Sequence, residues 1–253
     1  MGGTELSSEV LLKALAFVQV VQEAPSLDAY RREVLGLRQL VACDAIGYNE
    51  VDLESGETFA VLDPADAAFD GVEVAFANFA HQHPVLQYHG ESGDPGPRSL
   101  SDFLSEEDLH ELDLYRAVYA PMGAEDQLSF ILPSPPGTTV GIALNRSTRG
   151  FSAAERELIE LIRPHLTQAF RDARMRDAVN PLSPSRLRGL GLSKREAEVM
   201  RLLVEGLSAS ALAEQLSISP HTARHHIASI YSKLGVSSRA AAVAAALRAD
   251  GAE

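Results

Sequence analysis

Apolar side chains recur at intervals of three and four residues along most of this chain and at intervals of two in a few short runs, and the change of period marks out its elements. Val10 to Ala24 reads as an apolar-rich helix, and a second, Leu27 to Ala42, opens after Pro25-Ser26. Ala45 to Asp52 and Thr58 to Leu62 read as the strands of a hairpin around the turn Glu54-Ser55-Gly56, the first alternating Ile46, Tyr48 and Val51. Gly71 to His81 is predicted helical and Gly90 to Arg98 a loop; Ser101 to Tyr119 holds one or two helices carrying Phe103, Leu104, Leu109, Leu112, Leu114 and Val118. Two further strands, Gln127 to Leu132 and Thr139 to Asn145, flank the turn PSPPG. Antiparallel strand pairs with helices between them predict an α+β domain, a curved sheet with helices on one or both faces.

Ser152 to Ala178 is predicted as one long helix. Ser152 and Glu155 have capping-box spacing, and Leu158, Ile162, Leu166, Ala169 and Ala173 continue one apolar stripe past Pro164, where the missing N–H favours a kink. A helix leaving a domain with such a stripe is a candidate dimer seam through Leu158, Ile162 and Leu166; packing of the stripe on its own domain is the alternative. The run NPLSPSR then reads as a proline-serine linker. The expected division is a first domain at 1–178 including the connecting helix 152–178, a linker at 179–187 and a second domain at 188–253.

In the last quarter the helical period shortens into four capped segments. Ser193 and Glu196 form a capping box, Val199, Leu202 and Leu203 make an apolar stripe, and Gly206 supplies a left-handed exit. Ser208 caps a second helix with Leu212, Ala213 and Leu216, and Ser217-Ile218-Ser219 makes a tight turn. Ser219 caps a third, Pro220 takes its first position, and Ala223, Ile227, Ile230, Tyr231 and Leu234 form its buried stripe. His221, Arg224, His225, Ala228 and Ser232 share the opposite face. Arg reads guanine O6 and N7, His donates to a phosphate or base acceptor, and Ala touches a thymine methyl, so this face suits base edges in a DNA groove. Two short helices and a tight turn, the second helix presenting such a face, are the helix-turn-helix docking solution.

These residues resemble the LuxR-type (NarL/FixJ) DNA-binding domain. Leu192, Arg195, Glu196, Glu198, Val199, Gly206, Ala213, Leu216, Ile218, Ser219, Thr222, His226, Ile230, Lys233, Leu234, Gly235, Val236 and Arg239 all stand at positions of its pattern. The resemblance implies an all-α four-helix domain in which Arg224, His225 and Ala228, with His221 beside them, face bases, while Thr222, Ser210, Lys233 and Arg239 face phosphates. Two departures bear on function. Where the family has T-V-K this chain has Thr222-Ala223-Arg224, a planar fork suited to guanine in place of an ammonium. Where the family has N-K-E it has Ala209-Ser210-Ala211, one phosphate-seeking lysine fewer.

Composition changes the picture by its distribution. The 253 residues carry 22 basic and 35 acidic side chains, a net −13, which is unsuited to DNA until it is divided. From Arg186 onward nine basic face six acidic residues, a net +3; the first 185 residues hold 13 and 29, a net −16. An acidic first domain leaves only the C-terminal face attractive to a duplex.

The runs 100–132 and 140–170 resemble GAF-like sensor domains fused to LuxR-type regulators. Other inputs lack their residues: Lys13 is the only lysine before Lys194, against a phosphoreceiver domain; there is no tryptophan, against an acyl-homoserine-lactone pocket; there is no phosphate-binding loop of an ATPase. What remains is a pocket for an unknown small molecule, lined by Phe76, Phe79, Tyr88, Tyr115, Tyr119 and Phe130, or no ligand at all, with these aromatics serving as core. His81, His83 and His89 cluster loosely around Pro84, but a metal needs convergent ligands that sequence alone does not show, and no nucleophile elbow or acid/base constellation stands out, so no metal, cofactor or catalytic residue is expected. The single Cys43 excludes a disulfide framework, and no apolar run or leader pattern calls for a membrane. The expectation is a cytoplasmic, homodimeric bacterial regulator. Its partners would be double-stranded DNA at an inverted repeat, a possible small-molecule effector and, if it activates, RNA polymerase; the alternative is a ligand-independent regulator whose first domain only dimerises or binds protein.

Overall fold

In the computed structural model, residues 6–52, 58–67, 69–132 and 138–248 are described, and they pack into two compact units, Met1–Ala173 and Arg174–Glu253. The cut falls inside the long connecting helix, earlier than the boundary at 178 expected from sequence. The expected turns at 54–56 and 133–137 lie outside the described residues.

The first unit opens with α1 (Ser8–Gln22) and α2 (Leu27–Glu33), capped by the hydroxyls of Ser7 and Ser26. A 3-10 turn, Val34–Gln39, finishes what the sequence suggested as a single helix to Ala42. Strands β1 (Ala45–Asp52), β2 (Thr58–Asp63), β3 (Arg98–Ser99), β4 (Asp126–Leu132) and β5 (Thr138–Arg146) form one antiparallel sheet in the order β2-β1-β5-β4-β3. Period-two alternation sends Ile46, Tyr48, Leu128, Phe130, Leu132, Val140, Ile142 and Leu144 to one face, where α1, α2 and α6 (Ala153–Val179) close a core around Tyr30, Phe170, Leu158, Ile162 and Leu166. The α+β architecture is the expected one.

Over the opposite face lie α3 (Val72–Phe79), α4 (Pro84–Ser92), α5 (Glu106–Glu111) and a π-helical turn, Tyr115–Tyr119, with a smaller apolar cluster of Val85, Leu100, Leu109, Leu114, Val118 and Tyr119. The segment read as a loop from Gly90 is thus partly helix α4 and, at its end, strand β3. Arg156 of α6 grips the start of this layer, donating to Asp102 at 2.7 and 2.9 Å and to the Ser99 hydroxyl at 2.7 Å.

The second unit comprises α7 (Pro184–Gly189), α8 (Lys194–Val204), α9 (Ala209–Gln215), α10 (Pro220–Lys233) and α11 (Arg239–Leu247) around Val199, Met200, Leu203, Leu212, Ala223 and Ile230. Helix α7 takes up the last residues of the run read as a linker, and Leu187 is buried in this core. Each cap read from sequence is present: the Ser193–Glu196 box, Gly206 at φ 94°, and the Ser208 and Ser219 hydroxyls on the first turns of α9 and α10.

Candidate nucleic-acid interface and sensor site

Burial of Ala223 and Ile230, with Ile227, Tyr231 and Leu234 packed behind them, fixes the rotation of α10. The face left outside carries His221, Arg224, His225, Ala228 and Ser232, all exposed. Ser217, at φ 52°, turns the chain from α9 into α10, and Ile218 N–H closes the corner on Ala213 O at 2.9 Å. Among the described residues Arg224 and His221 have no hydrogen bond or ion pair, so the guanidinium fork is available to a ligand; the His225 ring meets only the edge of His226. Ser210 is exposed on α9. The Thr222 hydroxyl shares a hydrogen bond with the capping Ser219 at 2.8 Å and stands half-buried.

Two residues expected to face phosphates have partners within the fold. Lys233 donates to Glu196 at 2.6 Å, and Glu196 also accepts from Ser229 Oγ at 2.6 Å and from Ser193 N–H at 2.7 Å. Burial pushes the Glu196 carboxyl up, but the donors Lys233, Ser229 and Ser193 outweigh it and hold the group at about 2. The lysine is therefore the counter-charge of a buried anion that ties α8 to α10. Arg239 sends its fork to Leu203 O in the last turn of α8 and to Leu207 O just before α9, each at 2.6 Å. Arg195 does the same for α9, donating to Leu216 O at 2.7 Å while pairing with Glu198. These three cations brace the helices. Sequence spacing could not separate them from groove-facing cations, since all stand at family positions on polar faces.

In the first unit the six aromatics proposed to line a pocket do not share one. Phe130 is fully buried in the core on the α1/α6 side of the sheet, whereas Phe76, Phe79, Tyr115 and Tyr119 belong to the cluster on the opposite side. Phe130 points inward by its place on β4, whereas the others come from the helical segments laid over the opposite face. Tyr88 sits apart with Arg98, Asp94 and Phe103. Gln127 and Asn145 on that outer side were not singled out from sequence: His83 meets Gln127 Oε1 at 2.9 Å, and Gln127 donates to Asn145 at 2.9 Å. Burial lowers the His83 imidazole to about 4, so it stays neutral.

His81, His83 and His89 do not converge: His83 bonds Gln127, His89 Nδ1 meets Asp94 O at 2.6 Å, and His81 is exposed. Glu106, His110 and Glu125 do bring three ligand-type atoms within 4.8 Å of one another, a grouping the sequence reading missed; the His110–Glu125 contact at 2.7 Å also stands as an ordinary hydrogen bond. No helix among the described residues is long and apolar enough to cross a membrane.

A capped helix-turn-helix whose second helix carries an exposed polar face defines the class, and comparison with known proteins agrees. The family described as bacterial regulatory proteins, luxR family, matches residues 190–246. The spore germination protein GerE of Bacillus subtilis is 46% identical over 57 residues, which are 22% of this chain and 77% of GerE. The chain belongs to the luxR family. The probable transcriptional regulatory protein NarL of Mycobacterium tuberculosis is 49% identical over 57 residues, 22% of this chain; the chain spans only 26% of NarL's length. Among solved structures, Escherichia coli SdiA aligns with 93% of this chain and 97% of its own at 20% identity and a TM-score of 0.47. The named relatives are regulators, not enzymes.

Proposed function

We propose that the protein is a DNA-binding transcriptional regulator that acts as a homodimer on an inverted repeat, with its first unit sensing a small molecule. The observation that carries the reading is the unpartnered Arg224 at the centre of an exposed α10 face whose rotation the core fixes. On this reading Arg224, His225 and Ala228 meet bases with His221 at the helix start, and Ser210 and Thr222 approach phosphates. Contact with RNA polymerase follows if the protein activates. The test is Arg224→Ala, which should cost about 1 to 3 kcal/mol of specific binding and relax preference at one position per half-site. A binding-site preference unchanged by Arg224→Ala would remove α10 as the reading helix.

Burial argues against a dimer seam through Leu158, Ile162 and Leu166, which are 2%, 2% and 0% exposed within a single chain. Helix α1 supports the seam better: Leu12 and Leu15, one turn apart, are 67% and 66% exposed, and Val20 is 49% exposed. Water-facing leucines at this spacing suit a second copy of the same helix in a two-fold contact. Leu12→Glu with Leu15→Glu should give a monomer in sedimentation while helix content is kept; a variant still dimeric places the seam elsewhere.

A further inference from the structure

We propose that Glu106, His110 and Glu125 bind a zinc ion at the surface of the first unit, where α5 meets the start of β4. The site is independent of the sensing role proposed above. Its ligand-type atoms, one imidazole nitrogen and two carboxylate oxygens, lie within 4.8 Å of one another, and His110 Nε2 already meets Glu125 Oε2 at 2.7 Å. Ligands about 2.0 to 2.2 Å from one tetrahedral ion stand roughly 3.3 to 3.6 Å apart, between those two limits. Glu106 is exposed and makes no hydrogen bond or ion pair among the described residues, so its side chain is free to swing the remaining distance.

The local fold holds the ligands in place. Glu106 and His110 are one turn apart on α5, whose start is fixed by the Ser105 hydroxyl accepting from Asp108 N–H at 3.1 Å. Glu125 comes from the other side: its N–H donates to Arg146 O at 2.8 Å at the end of β5, so the residue before β4 is pinned to the sheet. Arg149 ties the two segments together, donating to Glu125 O at 3.3 Å and to Leu104 O, just before α5, at 2.6 Å. Tyr115 supplies the outer support. Its hydroxyl donates to Glu125 Oε1 at 2.6 Å, leaving Oε2 to face His110, and its ring stacks on the imidazole with centroids 4.2 Å apart. Partners of this kind orient carboxylate and imidazole ligands in metal centres.

The chemistry selects zinc over the harder cations. Calcium and magnesium seek about six or more oxygen ligands, whereas one imidazole with two carboxylates and an open side suits zinc, with water in its fourth position. Charge points the same way. Among the described residues no Lys or Arg side chain pairs with either carboxylate, the Arg149 guanidinium being turned to backbone carbonyls, and Glu107, Asp108 and Glu111 add negative charge on α5. Zinc replaces the proton that Nε2 and Glu125 share, and the imidazole binds in its neutral form with its proton on Nδ1.

The test is zinc itself, titrated into the full-length chain against a chromogenic chelator. Because His221 and His225 stand four apart on the exposed face of α10 and would chelate zinc themselves, every protein tested carries His221→Ala and His225→Ala. That background should bind one zinc ion per chain. Adding Glu106→Gln, or His110→Phe, which keeps a ring against Tyr115, should weaken binding by more than about tenfold, the loss that removal of even an outer partner brings. A large excess of calcium or magnesium should leave the zinc in place. Glu106→Gln alters an exposed side chain without partners, so zinc lost there is not lost through unfolding, and an unchanged melting temperature without zinc checks this. The proposal is overturned if the background binds no stoichiometric zinc, if either variant binds it as the background does, or if calcium displaces it.

Discussion

Leu166→Glu is expected to unfold the first unit rather than split a dimer. Leu166 is fully buried among the side chains of α1, α2, α6 and the sheet, and its carbonyl accepts the Tyr30 hydroxyl at 3.0 Å. Glutamate there loses the leucine's packing, worth about 2 to 5 kcal/mol, and adds the cost of an uncompensated charge. The sum approaches the whole stability of an ordinary domain, about 5 to 15 kcal/mol. Near-ultraviolet circular dichroism and limited proteolysis should show the first unit melted. A folded, monomeric variant would restore the α6 seam that burial argues against.

The second large effect concerns Glu196. Its folded value of about 2 lies below the ordinary 4.5, so the stability it contributes is fully present above about pH 4.5 and is lost as pH falls toward 2. The ceiling is about 3 kcal/mol. Glu196→Gln keeps the size and the cap geometry but leaves Lys233 without its anion, and should destabilise the second unit by about 2 to 4 kcal/mol at pH 7. Denaturant unfolding at pH 7 and pH 3 checks both claims: wild type should weaken steeply with acid, the variant much less. If the two fall in parallel, another carboxylate carries the acid sensitivity.

Features set by neighbours in sequence were legible. The capping boxes at Ser152 and Ser193, the Ser208 and Ser219 caps, the left-handed Gly206 and the four longer strands each depend on residues within one turn or one pleat of each other. So was the exposed face of α10, because its opposite stripe is apolar at helical spacing. Helix α4 was missed because Gly90, Gly93 and Gly96 crowd the segment, although His83 caps its start and Pro84 suits its first turn. Strand β3 is two residues long and carries no period. The failures at the site were of another kind. An apolar stripe on α6 does not say whether a core or a second copy covers it, and a cation on a polar face does not say whether it meets a phosphate or a carbonyl 30 residues away in sequence. Phe130 and Tyr119 differ by which face of the sheet they serve, one by its place on β4 and the other by the helical layer it belongs to, and only the tertiary fold decides that.

The arginine forks turned inward on backbone carbonyls bear on how the protein would find a site. Sequence-independent hold on a duplex comes from displacing counterions, about one per phosphate met by a free cation. With Arg195 and Arg239 closed on helix ends and Lys233 paired with Glu196, three of the nine basic residues from Arg186 onward are committed within the fold, which lowers the number of counterions the head can displace. On the proposed reading, such a protein lingers only briefly at wrong sequences, so its search is dominated by short visits and rapid departure, and nearly all of its residence time is earned by Arg224 and its neighbours at the right one.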